Sequence, residues 1–102
     1  MSVFLSLFAG AGAQFFDDNG NPLNGGFIYS YNAGTTTPLA TYTTSTGNIA
    51  HSNPIVLDAA GRVPAGGEIW VDYSQSYKFI LKASNGSTIG TYDNISSSVD
   101  AK

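Results

Sequence analysis

Hydrophobic and polar positions alternate along this chain in short runs, each bounded by turn residues. Phe27, Tyr29 and Tyr31 alternate with Ile28, Ser30 and Asn32, the period-2 pattern of a half-buried strand. Residues 40–44 are β-branched and aromatic, so strand-like. Asn53-Pro54 opens a third run, Ile55-Val56-Leu57-Asp58, which Ala59-Ala60-Gly61-Arg62 closes as a turn with Gly61 at positive φ. Over 68–73, Ile69, Val71 and Tyr73 alternate with Trp70 and Asp72. The clearest amphipathic strand is Tyr77–Lys82, with Tyr77, Phe79 and Leu81 on one face and Lys78 and Lys82 on the other. Asn85-Gly86 predicts a two-residue type I′ hairpin joining that strand to residues 88–94. Apolar residues rarely recur at helical spacing, and Gly or Pro falls every ten or so residues. Seven or eight short strands are expected, which fits a sandwich or a squat barrel. The fold class expected is all-β: a sandwich of two antiparallel sheets with short strands and tight turns.

The ends of the chain read differently. Residues 1–13 are mildly apolar and finish in Ala11-Gly12-Ala13, which imitates a signal peptide. No Lys or Arg precedes the apolar run, and Ser6 interrupts it. The expectation is an apolar N-terminal arm whose Phe4, Leu5, Leu7 and Phe8 are buried against the core or against a partner. Residues 14–95 form the β domain, and 96–102, with Ser96-Ser97-Ser98, read as a linker or exit.

Composition narrows the function classes. Charged residues make up 11% of the chain and net charge is −3, against about 25% charged in typical domains. Arg62, Lys78, Lys82 and Lys102 are the four basic residues, too few for the cationic footprint that nucleic-acid binding needs. The apolar run at the N-terminus is far shorter than the roughly 20 residues of a membrane-spanning helix, so no membrane partner is expected. Cysteine is absent, which removes disulfides and thiolate metal sites.

Each candidate for chemistry has a structural reading beside it. Asp17-x-Asn19-x-Asn21 imitates the start of a calcium loop, but Pro22 and Ile28 occupy the places of its Gly and its bidentate Glu. A turn is expected, with no metal and no cofactor. His51 is the one histidine, and no Gly-x-Ser-x-Gly accompanies it. A glycosidase needs two carboxylates across a cleft; Asp72 and Asp93 are the pair that could meet across neighbouring strands. No catalytic residue is assigned, and the chain is not expected to be an enzyme. Asp58 and Arg62 could close their turn as an ion pair, or Arg62 could bind a partner carboxylate. Trp70 and the tyrosines could form a sugar platform or a subunit interface.

The stretch 25–64 carries a resemblance. Gly-Gly-x-Ile-Tyr-x-Tyr-x-Ala-Gly-Thr-Thr-Thr-Pro, then Thr-Tyr-Thr, then Asn-Pro-Ile-Val-Leu-Asp-x-Ala-Gly-Arg resembles the N-terminal virion-attachment (head- or tail-binding) domain of bacteriophage tailspike and tail fibre proteins. The likeness runs from about Gln14 to Ile95. It implies a structural protein of the virion, a homotrimer that anchors or adapts a fibre or spike to tail or capsid proteins in the adaptor, portal or nozzle region. It also implies a downstream receptor-binding part, so the chain would be either a stand-alone adaptor or the first part of a longer fibre. Phe4, Leu5, Leu7, Phe8, Arg62 and Trp70 are the expected interface residues. The alternative is a carbohydrate-binding β-sandwich module contacting host surface glycans, which would expose three or more coplanar aromatics on one sheet face.

Overall fold

The computed structural model describes residues 3–5, 14–17, 19–43, 47, 49–64, 69–72 and 74–95. Among them all regular structure is β and no helix occurs. The strands are β1 (Val3–Leu5), β2 (Phe27–Asn32), β3 (Ile55–Val56), β4 (Trp70–Asp72), β5 (Tyr77–Lys82) and β6 (Thr88–Ile95). Four of them form an antiparallel sheet in the order β3-β2-β5-β6, and β1 pairs antiparallel with β4.

Register decides which side of each strand is buried. Tyr77, Phe79 and Leu81 are buried, as their alternation with lysine requires. In the β2–β5 pairing Ile28 lies opposite Leu81, Ser30 opposite Phe79 and Asn32 opposite Tyr77. The inward set of β2 is therefore Ile28 and Ser30, both buried, and the more apolar triplet Phe27, Tyr29 and Tyr31 faces out, half-buried. Ile55 of β3 continues the inner row beside Ile28. Ile69 and Val71 meet this layer with no exposed surface, and Leu23, Leu57 and Val63 complete the core. Each such aliphatic side chain contributes roughly 1.5–3 kcal/mol by leaving water.

Buried polar groups are paired by short-range devices. Beyond the two residues of β3, the edge of β2 is completed by a side chain. Asn53 Oδ1 accepts the Ser30 N–H at 3.1 Å, and Asn53 Nδ2 donates to the Ser30 carbonyl at 2.9 Å. The amide thus stands in for a neighbouring strand. Ser30 Oγ donates to the Leu39 carbonyl at 2.8 Å. Pro38, which has no N–H, bridges Tyr31 at the same edge, where the bonds run instead through Asn32 N–H to Thr37 O and Leu39 N–H to Ser30 O. The Tyr77 hydroxyl, inside the core, donates to the Ala40 carbonyl at 2.6 Å and accepts from Asp72 N–H at 3.1 Å.

Several expectations change. Residues 40–43 form no continuous strand: Tyr42 alone bridges Ala50 on one side and Trp70 on the other. Its exchange of two backbone bonds with Trp70, at 2.7 and 3.0 Å, adds a single bridging residue on the edge of β4 away from β1. The Asn85-Gly86 hairpin is present, but not with a two-residue I′ loop. Ala83 N–H donates to Ser87 O, Gly86 N–H donates to Ala83 O, and only Gly86 has positive φ (92°). This is the three-residue loop in which a turn is followed by a left-handed glycine. Asn85 instead uses its side chain, accepting the Ser87 N–H at 2.9 Å. Gly61 has the expected positive φ (75°).

A candidate docking face on the four-stranded sheet

The outward residues of β2 and β5 share one face of the sheet. Phe27, Tyr29 and Tyr31 stand in file along β2, with ring centroids 6.3 Å apart at each step. The Tyr29 and Tyr31 rings are parallel within 2°, whereas Phe27 is tilted by 49° from Tyr29. Val56, 49% exposed, lies opposite Phe27 on β3, and Ile80 lies opposite Tyr29 on β5. At the two ends of β5 the lysines lean back over the rings: Lys78 Nζ is 5.4 Å from the Tyr31 centroid, and Lys82 Nζ is 5.1 Å from that of Tyr29. Each contact is worth about 0.5–1 kcal/mol at an accessible site. Neither ammonium has a carboxylate or hydrogen-bond partner among the described residues. The strip therefore sets an aromatic file on β2 beside two lysines of β5 that meet no anion among the described residues.

The carboxylates are used differently. Asp17 Oδ1 accepts the N–H groups of Asn19 and Asn21, Asp58 Oδ1 those of Ala60 and Arg62, and Asp72 Oδ1 the N–H and hydroxyl of Ser74. Each holds a local turn together. No group of three or more metal-ligating side chains occurs among the described residues. Asp72 and Asp93 do not lie on neighbouring strands: β4 pairs with β1, while β6 is an edge of the four-stranded sheet. Asp93 Oδ1 accepts Gly34 N–H and Asn94 N–H. No pocket opens among the described residues.

The expected interface residues scatter. Phe4 and Leu5 belong to β1, where they pair with Val71 and Trp70 of β4, so Leu5 and Trp70 are brought together. Trp70 is half-buried. Leu7 and Phe8 lie outside the described residues. Arg62 is exposed, and its guanidinium donates to Gln14 Oε1 at 3.3 Å, tying the Asp58 turn to the start of the 14–23 segment. His51 is half-buried in the loop after Tyr42, its N–H donating to the Thr41 carbonyl. Tyr29 and Tyr31 were candidates only as members of the general set of tyrosines, and Phe27, Lys78 and Lys82 were not among the expected site residues. The two halves of the strip show in the sequence as alternation, but only the non-local pairing of β2 with β5 makes them one surface. Compared with protein-family models and with curated proteins, the chain finds no match in either.

Proposed function

We propose that this chain is a virion-attachment domain, which fixes a phage tail fibre or tailspike to the tail or capsid and works by contact without catalysis. The observation that carries the reading is the outward aromatic file Phe27, Tyr29 and Tyr31 on the four-stranded sheet. In a domain this small, a row of large aromatics turned away from its own core fits a surface that another protein covers. The resemblance of stretch 25–64 to phage attachment domains supports the same reading. In it the four-stranded sheet and the β1–β4 ribbon are the two leaves of a small sandwich. Three copies assemble, Phe4, Leu5, Leu7, Phe8, Arg62 and Trp70 contribute to subunit or particle contacts, and a receptor-binding part lies downstream. The test is incorporation: particles assembled with Tyr29→Ser/Tyr31→Ser protein should carry far fewer fibres than wild type. Unchanged fibre occupancy of a folded double variant would count against the reading.

A second reading has one observation in its favour. Parallel tyrosine rings 6.3 Å apart could stack on successive sugars of a glycan. The tilt of Phe27 leaves two such rings rather than three. Binding of the purified chain to host surface polysaccharide, lost in Tyr29→Ser, would favour this module over the anchor.

A further inference from the structure

We infer that the Phe27–Tyr29–Tyr31 strip receives an acidic protein surface of the phage particle, one that presents an apolar patch beside two carboxylates; this rests on the attachment reading. The two carboxylates answer Lys78 and Lys82 of β5, which stand opposite Tyr31 and Phe27. Their ammonium groups are held by Tyr31 and Tyr29 and left without an anion among the described residues. Two of the chain's four basic residues stand on this face, although net charge is −3. The positive charge is therefore local to the strip and not a general attraction for polyanions. Ile80 and Tyr29 fill the row between the lysines, and Phe27 and Val56 continue the apolar area across β2 and β3 from Lys82. An apolar middle with charges at its margin is the anatomy of a protein–protein interface. A glycan is the weaker fit: Ile80 and Val56 offer sugars no hydrogen bond, and the strip contains no carboxamide side chain. Opposite charges at the margin set association rate and partner choice.

The experiment uses fibreless particles and the purified full chain at two salt concentrations. Wild type should be retained, and less so at high salt, because exposed charge pairs are screened. Lys78→Glu/Lys82→Glu should weaken retention tenfold or more, since like charges meeting across an interface cost several kcal/mol. Lys78→Gln/Lys82→Gln should fall between, and Lys78→Arg/Lys82→Arg should restore binding. Circular dichroism and melting temperature confirm that each variant is folded. Charge-reversed protein retained like wild type, while wild type is retained, overturns the inference and leaves the attachment reading standing. Wild type that is not retained at all overturns both. Loss of polygalacturonate binding with unchanged particle retention would assign the strip to an anionic glycan. A fall in the mass of the free protein on charge reversal, by light scattering, would assign it to contact between copies. Either of these results overturns the inference.

Discussion

Tyr77 shows how one atom ties three segments together. Its hydroxyl joins the Ala40 carbonyl to the Asp72 N–H inside the core, and the ring stacks on Phe79 at 5.6 Å. Burial, with a smaller contribution from the Asp72 charge, pushes the phenol up to about 12 from its ordinary 10.0, although the Asp72 N–H bond lowers it. Between these values the unfolded chain has released a proton that the folded chain still holds. Stability from this group is therefore complete below pH 10 and is lost as pH rises towards 12, by at most about 1.4 kcal/mol per pH unit. Tyr77→Phe should remove that alkaline slope in urea titrations. It should also cost about 1–3 kcal/mol at neutral pH, because two backbone groups lose their partner. Gly61 and Gly86 make a second residue-scale test. Both have positive φ, but a Cβ on Gly61 would overlap the Phe15 carbonyl oxygen and lie 2.6 Å from Leu23 N, whereas nothing lies within 4 Å of one on Gly86. Gly61→Ala should cost about 3 kcal/mol or more through strain plus overlap, and Gly86→Ala about 1 kcal/mol through strain alone. Equal losses in denaturant melts would mean that Gly61 is not packed as described.

At the scale of the elements, what could be read in advance was local. Tyr77–Lys82 was legible because Lys78 and Lys82 mark one face as outward and leave Tyr77, Phe79 and Leu81 the other, and the neighbouring hairpin because Asn-Gly marks a turn. The loop type was not, since Asn85 serves as a side-chain acceptor instead of taking positive φ. Nor was the loss of strand 40–43, whose β-branched residues give way to single bridges at Tyr42. The orientation of β2 needed its partner: Ile28 and Ser30 go inward only because Leu81 and Phe79 stand opposite. The gap at the β2 edge depends on Asn53, which in sequence is only a loop residue before proline. Asn53→Ala should lower stability by about 1–3 kcal/mol, since it strips both backbone groups of buried Ser30 of their side-chain partner. Amide exchange should quicken at Ser30 more than at Phe79. Unchanged protection at Ser30 would show that the amide bracket is not what closes this edge.

For the whole molecule, the candidate surface was half legible. Aromatics at 27, 29 and 31 and lysines at 78 and 82 alternate visibly, yet nothing local says that the two sets share a face. The attachment reading makes the free protein an oligomer. Light scattering should give three times the 10.6 kDa chain mass, and a species that stays at the single-chain mass at high concentration would refute the trimer. The strand order β3-β2-β5-β6 also has a consequence in time. The β5 and β6 strands are joined by the short 83–87 loop, but β2 cannot pair with β5 until the whole intervening segment 33–76 has been looped out. Loop closure on that scale is an entropic cost that must be met before any contact repays it. The β5–β6 hairpin should therefore form ahead of the rate-limiting barrier and β2 should dock after it. In stopped-flow experiments Gly86→Ala should chiefly slow folding, and Ile28→Ala should chiefly speed unfolding. The aromatic strip would then be the last surface to exist, assembled only when the central strand arrives. Until that moment Lys78 and Lys82 belong to a lone hairpin with no rings to hold them, and partners that need the complete strip can recognise only finished molecules.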